Sequence, residues 1–211
     1  MVTRDSSPAP SDPGPSTASR LASDALKHRR VLVGVSGGIA CYKACTLVSR
    51  LAQMGAEVTV MMSPSAMRFV QPLTFAALSG RPVLTSQWEQ VDALEAQHIR
   101  TARQAELCIV APATMDLCAK LATGLCDDVL TTVLAAIDRS TTPVLLSPSM
   151  NAVMWAQPSN QRNMSTLRAD GFLVLDPASG WQACREVGPG RMPEPDALIE
   201  IVRGALPRSV T

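Results

Sequence analysis

Two residues in this chain combine a reactive side chain with an unexpected setting. Cys184 lies in Ser-Gly-Trp-Gln-Ala-Cys-Arg-Glu-Val-Gly-Pro-Gly-Arg-Met-Pro-Glu-Pro, residues Ser179–Pro195. The glycines and prolines crowding that segment predict a loop rather than a helix or strand. A structural thiol belongs in apolar, periodic sequence, whereas this one has Gln182, Arg185 and Glu186 for neighbours. It could be an idle thiol, half of a disulfide, a metal ligand or a reagent. His98 is one of only two histidines, the other being His28. A lone histidine is more often a satisfied structural residue, but a place just before a short helix leading into a strand also suits a general base.

Three further segments carry residues suited to holding a ligand. Gly34–Lys43 reads Gly-Val-Ser-Gly-Gly-Ile-Ala-Cys-Tyr-Lys. Gly37 and Gly38 let the backbone approach a ligand closely, and the N–H groups opening the next helix suit a phosphate. The segment is neither G-x-G-x-x-G nor a Walker loop. It is either a tight turn that needs small residues or a cradle for the phosphate of a mononucleotide such as FMN. In Ala-Pro-Ala-Thr-Met-Asp-Leu-Cys-Ala-Lys (Ala111–Lys120), Thr114 and Asp116 can cap a helix. The same turn could hold a cofactor's phosphate or ring. In Ser-Pro-Ser-Met-Asn-Ala-Val-Met-Trp (Ser147–Trp155), Asn151 can cap a helix, or recognise a carboxylate or a flavin edge. Met154 and Trp155 are either walls of such a site or core.

The elements that must position these residues follow from short apolar runs alternating with helical patterns. Arg30–Val35, Glu57–Met62, Glu106–Pro112, Pro143–Pro148 and Phe172–Pro177 read as strands, with a weaker one at Pro82–Leu84. Helical spacing runs from Ile39 through Ala44, Leu47, Val48 and Leu51, and again through Asp196–Gly204. Near-continuous apolar strands separated by helices predict a single doubly wound, Rossmann/flavodoxin-like α/β domain, with a mostly parallel sheet and helices on both faces. Ligands of such a sheet sit beyond the carboxyl ends of the strands at the topological switch point. The turn motifs above fall at such ends.

Composition narrows the partners. Residues 1–28 are dense in Pro, Ser and Ala and predict a disordered tail, with the folded domain spanning 29–211. The tail lacks the apolar region of a secretory signal. No apolar run approaches the ~20 residues of a membrane helix. A net charge of +1 without a basic block disfavours nucleic acid. Five of the six cysteines (Cys41, Cys45, Cys108, Cys118 and Cys126) fall in apolar or helical patterns, as small core hydrophobes do in a reducing cytoplasm. No metal site is expected: there is no C-x-x-C pair, and the C-x-x-x-C at 41–45 has apolar company.

Taken in order, these stretches, together with Gln-Pro-Leu-Thr-Phe-Ala-Ala-Leu-Ser-Gly (71–80), Leu-Ala-Thr-Gly-Leu-Cys-Asp-Asp-Val-Leu-Thr-Thr (121–132) and Gln-Arg-Asn-Met-Ser-Thr-Leu-Arg-Ala-Asp-Gly (161–171), resemble the homo-oligomeric flavin-containing cysteine decarboxylases. The resemblance covers about residues 30–205. It implies FMN at the strand ends, held by Ser36, Gly37, Gly38, Ser63, Thr114, Met115, Asp116 and Ser149. It implies His98 and Cys184 as catalytic residues and Asn151, with Ala183 and Arg185 beside the cysteine, as substrate contacts. It also implies a homotrimer or a multiple of trimers. Many members have Pro-Ala-Ser-Ala-Asn-Thr where this chain reads Pro-Ala-Thr-Met-Asp, which would place the Asp116 carboxylate near the flavin. Some bacterial relatives fuse a ligase at the carboxyl end; a chain ending at Thr211 is expected to act as a stand-alone decarboxylase.

The implied reaction converts phosphopantothenoylcysteine (4′-phospho-N-pantothenoylcysteine) to 4′-phosphopantetheine in coenzyme A biosynthesis. An N-acylated cysteine has no electron sink for the carbanion left by CO2, and flavin can create one by oxidising the CH2–SH group to a thioaldehyde. After CO2 leaves, the enethiolate is reduced and protonated, with no net redox change. In this scheme His98 accepts a proton or steers the carboxylate, Asn151 holds the carboxylate, and Cys184 supplies the last proton from a mobile loop. The rivals are an oxidative decarboxylase of a peptide's C-terminal cysteine, a flavin prenyltransferase, and a non-catalytic flavoprotein-like regulatory subunit.

Overall fold

A computed structural model describes residues 26–88 and 96–206. Five strands form one parallel sheet: β1 Arg30–Val35, β2 Glu57–Met62, β3 Leu107–Ala113, β4 Val144–Pro148 and β5 Leu173–Val174. Their spatial order is β2-β1-β3-β4-β5, the flavodoxin-like order. The chain leaves β1 in one direction to reach β2 and returns to the other side for β3. The switch point therefore lies between the carboxyl ends of β1 and β3.

Strand alternation divides the core in two. Val31, Val33 and Val35 of β1, with Val58 and Val60 of β2 and Ile109 of β3, face helices α1 (Cys41–Gln53), α2 (Pro72–Ser79) and α8 (Pro195–Ala205). Leu32, Cys108, Val110, Val144 and Leu146 face α3 (Gln97–Gln104), α4 (Met115–Thr123), α5 (Val129–Ala136) and α7 (Pro158–Ala169). Helices thus cover both faces, as expected for strands that are apolar throughout. A short α6 (Ala152–Ala156) follows β4.

Several boundaries moved. Leu26 is fully buried in the first core, three residues before the expected start of the domain at 29; burying one leucine gains about 1.5–3 kcal/mol. Residues 1–25 of the expected tail lie outside the described residues. The strand expected at Phe172–Pro177 pairs only over Leu173–Val174, at the sheet's edge. The weak strand at Pro82–Leu84 is reduced to a single parallel bridge, Met61 to Leu84. Cys126 was expected to be a core hydrophobe but is exposed, and Cys45 is half-buried. Cys126 sits in the link between α4 and α5, where no apolar face continues.

The largest departure concerns the segment expected to be a loop. Ala178–Trp181 (β6) and Val187–Arg191 (β7) pair as an antiparallel hairpin, with an irregularity between Ala178 and Ser179. Glycine and proline argue against a strand inside a sheet because they weaken packing and remove a donor. An isolated two-stranded ribbon with a bulge tolerates both. The ribbon lies across the strand ends and packs on the Met150–Ala152 turn. There the Met150 N–H donates to the Gly190 carbonyl at 2.9 Å. Gly190 has φ +120, and a Cβ there would strike the Met150 carbonyl, so this approach requires glycine.

Candidate functional site

The two turns at the switch point are tied together by one hydroxyl. Ser36 is 2% exposed, and its Oγ donates to the Pro112 carbonyl at 2.8 Å while accepting the Thr114 N–H at 2.9 Å. Gly37 then passes so near the Ser63–Ser65 turn after β2 that a Cβ on it would stand 2.4 Å from Ser65 Cβ. Only a glycine permits that approach. The N–H groups of Gly37, Gly38, Ile39 and Ala40 find no acceptor among the described residues. Neither do those of Met115 and Asp116, which open α4 behind the Thr114 N-cap. Unpaired N–H groups at two helix starts, facing one crevice, form an anion cradle.

That crevice is part of a cavity of about 810 Å³ roofed by the hairpin, within the usual range for small-molecule sites. Gly37, Gly38, Thr114, Met115, Asp116 and Ser149 line it. Asn151, Ala183 and Cys184 line the same cavity. The structure thus brings together most of the residues singled out from the sequence, contributed by four separate turns.

The others sit elsewhere. Ser36 is buried in the clamp just described and does not line the cavity. Ser63 is buried, with its Oγ accepting the Ala66 N–H at 3.2 Å, and its neighbour Ser65 lines the cavity instead. Arg185 is exposed at the hairpin tip with φ +66, outside the cavity wall. His98 is half-buried inside α3, as its second residue rather than ahead of it, and does not line the cavity within one chain. Asp116 is exposed in the first turn of α4, and its carboxylate pairs with Lys120 at 3.4 Å.

Asn151 does cap α6, its Oδ1 accepting the Met154 N–H at 2.7 Å. The cap leaves the amide NH2 as a donor beside the cavity. Sequence reasoning missed the residue that joins this turn to the hairpin tip. Gln182 is 8% exposed, and its Nε2 donates to the Pro189 carbonyl at 2.8 Å. Its Oε1 accepts the Ala152 N–H at 3.2 Å and lies 3.5 Å from Cys184 Sγ. One carboxamide therefore holds the tip, the second strand and the start of α6. The signal was there: a long amide two residues before a loop cysteine.

Two cations on the wall were also missed. Lys43, in the first turn of α1, is 4% exposed; its Nζ donates to the Met192 carbonyl and to Glu194 Oε1, both at 3.0 Å. Arg191, at the end of β7, reaches the same Glu194 oxygen at 2.5 Å. The Lys43 ammonium, aided by Arg191, holds the Glu194 carboxyl below the usual carboxylate range. Elsewhere burial raises thiols: Cys118 is pushed up to about 12, and Cys108 higher still. No cluster of three or more metal-binding side chains occurs among the described residues. None of their helices is long and apolar enough to cross a membrane.

A flavodoxin-order sheet with an anion cradle at its switch point and a roofed cavity defines an α/β protein built to hold a mononucleotide-type ligand. The chain belongs to the Flavoprotein family, which it matches over residues 19–206. It is 47% identical over 176 residues to the coenzyme A biosynthesis bifunctional protein CoaBC of Bacillus subtilis. It is 44% identical over 182 residues to the protein of the same name from Mycolicibacterium smegmatis. These matches take in 83% and 86% of this chain, which spans only 43% of the length of either relative. Among solved structures it resembles a cysteine-to-serine mutant of PPC decarboxylase complexed with pantothenoylaminoethenethiol, with TM-score 0.74 and 28% identity over 84% of this chain and 97% of that one. The FMN-dependent cysteine decarboxylase SpaF gives TM-score 0.71 and 28% identity, over 85% and 99%.

Proposed function

We propose that this chain is a carboxy-lyase that carries out FMN-dependent decarboxylation of 4′-phospho-N-pantothenoylcysteine, yielding 4′-phosphopantetheine for coenzyme A synthesis. The observation that carries this reading is that Asn151 and Cys184 line the same cavity as the unpaired N–H groups of the anion cradle. The CoaBC relatives and the PPC decarboxylase likeness support it.

The residues fit FMN. The free N–H groups of Gly37–Ala40 suit its phosphate, the close Gly37–Ser65 contact narrows that end, and Thr114, Met115 and Ser149 border room for a ring. When bound, FMN supplies a reversible two-electron acceptor for the substrate's CH2–SH group. The Asn151 NH2 donates to the substrate carboxylate and holds it in the pose for cleavage; a displacement of ~1 Å costs about 10²-fold in rate. The hairpin excludes water above the substrate. The Cys184 thiol, held by Gln182, gives a proton to the carbon that has lost CO2; the two electrons that complete the saturated product would be returned by the reduced cofactor.

His98 acts at a cavity it does not reach in its own chain. A homotrimer, or a multiple of it, carries α3 of one copy to the cavity of the next, where His98 takes a proton or steers the carboxylate. The compartment is the cytoplasm, supported by Cys41, Cys108 and Cys118 serving as buried core thiols.

A peptide-cysteine oxidative decarboxylase would stop at the enethiol, and Cys184 on the cavity wall favours the complete reaction. The test is to purify the protein, measure bound flavin by absorbance, and supply phosphopantothenoylcysteine. Bound FMN with phosphopantetheine as product is expected. Cys184→Ser should still release CO2 but accumulate the unsaturated enethiol with flavin left reduced. Normal product at a normal rate from that variant refutes the role of Cys184, and absence of CO2 release from the wild type refutes the decarboxylase.

A further inference from the structure

Two cationic side chains on the cavity wall have no task in the reaction just described. Among the described residues that line the cavity, Lys43 and Arg191 are the only cations. Both converge on one oxygen of Glu194. Two cations sharing one carboxylate leave a net positive charge where α1 meets the base of the hairpin. The Arg191 guanidinium has Glu194 as its one hydrogen-bonding partner among the described residues, so most of its fork is uncommitted.

Resting on the functional reading above, the ligands bring three anionic groups. The cofactor phosphate has the backbone cradle at Gly37–Ala40, which needs no side-chain cation. The cysteine carboxylate has Asn151. The substrate's terminal phosphate, carrying about −1.5 to −2 charges at neutral pH, is left without a partner. We propose that Arg191 and Lys43 form the subsite for this phosphate monoester and thereby select the phosphorylated substrate.

Length supports the assignment. Eleven bonds separate the cysteine Cα from the phosphorus, about 12–13 Å when extended at ~3.3–3.6 Å per three bonds. The hairpin arm from Val187 to Arg191 covers four steps of about 3.3 Å, roughly 13 Å. A substrate with its cysteine beneath the Cys184 tip and its tail along this arm ends beside Arg191. Glu194 is then the resident counter-ion: it holds the two cations together, and the phosphate engages the donors it leaves over. A guanidinium fork matches phosphate oxygens in pairs, and lysine adds a point charge.

The test compares phosphopantothenoylcysteine with its dephosphorylated form, pantothenoylcysteine, in wild type, Arg191→Ala and Glu194→Gln. Arg191 is partly exposed, so its loss spares the core. Arg191→Ala should lower the ratio of kcat/KM for the phosphorylated over the dephosphorylated substrate by about 10- to 100-fold, the size of one hydrogen bond to a charged group. Glu194→Gln, which removes the competing carboxylate, should raise that ratio. Calorimetry should show the same loss for 4′-phosphopantetheine relative to pantetheine in Arg191→Ala. An equal fall on both substrates in both variants would mean that the cluster only anchors the hairpin, and the subsite is refuted. Loss of bound flavin from Arg191→Ala would assign the cations to the cofactor phosphate and equally overturn it. A wild type inactive on both substrates instead refutes the decarboxylase reading itself.

Discussion

Gln182→Ala separates the placement of the hairpin tip from the chemistry of its thiol. The substitution leaves Cys184 intact but removes the acceptor of the Ala152 N–H and the donor to the Pro189 carbonyl. Ala152 is half-buried and Pro189 exposed, so water can replace part of what is lost. Each bond is then worth its net value of about 0.5–1.5 kcal/mol rather than a full desolvation penalty. Together they favour the docked tip by about 1–3 kcal/mol, which is roughly a 5- to 150-fold change in its population. A two-stranded ribbon has little other support, so this loss falls on the hairpin rather than on the sheet. The expected outcome is selective. CO2 release and flavin reduction, followed by rapid-mixing absorbance, should change little. Flavin reoxidation should slow by 5-fold or more, with unsaturated enethiol detectable by mass spectrometry. Reoxidation at the wild-type rate with no enethiol would refute the positioning role. Equal slowing of both halves would place the fault in substrate binding.

Two further outcomes follow from the packing. Gly37→Ala puts a methyl group 2.4 Å from Ser65 Cβ and 2.7 Å from its backbone carbon. It should destabilise the protein by about 1–3 kcal/mol, an overpacking cost, and release flavin, read by thermal denaturation and by absorbance after gel filtration; retention of full flavin content would argue against the cradle. Alkylation with iodoacetamide at pH 8 should modify the exposed Cys126 and Cys184 in the native protein. Burial pushes Cys108 and Cys118 far above that pH in pKa, so they should react only after unfolding, as peptide mass mapping will show.

The local pattern of the chain determined the sheet, because a strand buried on both faces must be apolar throughout and a covering helix must repeat its apolar residues. Arg30–Val35 and Glu57–Met62 therefore appear with the bounds their composition predicts. Gly37, Gly38, Thr114 and Asn151 were legible for a related reason: glycine freedom and short polar caps are local chemistry, and each sits at a strand exit. The hairpin was not legible. Its strands are held by backbone pairing and by contact with Met150 and Ala152, residues nearly forty positions away, so its side chains carry no period. Gln182 and Lys43 were overlooked on the same grounds. A buried amide or ammonium has meaning only through its partners, and those partners include Ala152, 30 positions away, and Met192 and Glu194, 149 and 151 positions away. His98 marks the boundary between the two kinds of knowledge. Its type announced chemistry, but in one chain it does not line the cavity. Sequence determined which groups are available. Tertiary structure decided which of them meet, because only closing the sheet and laying the ribbon across its ends brings separate turns within bonding distance.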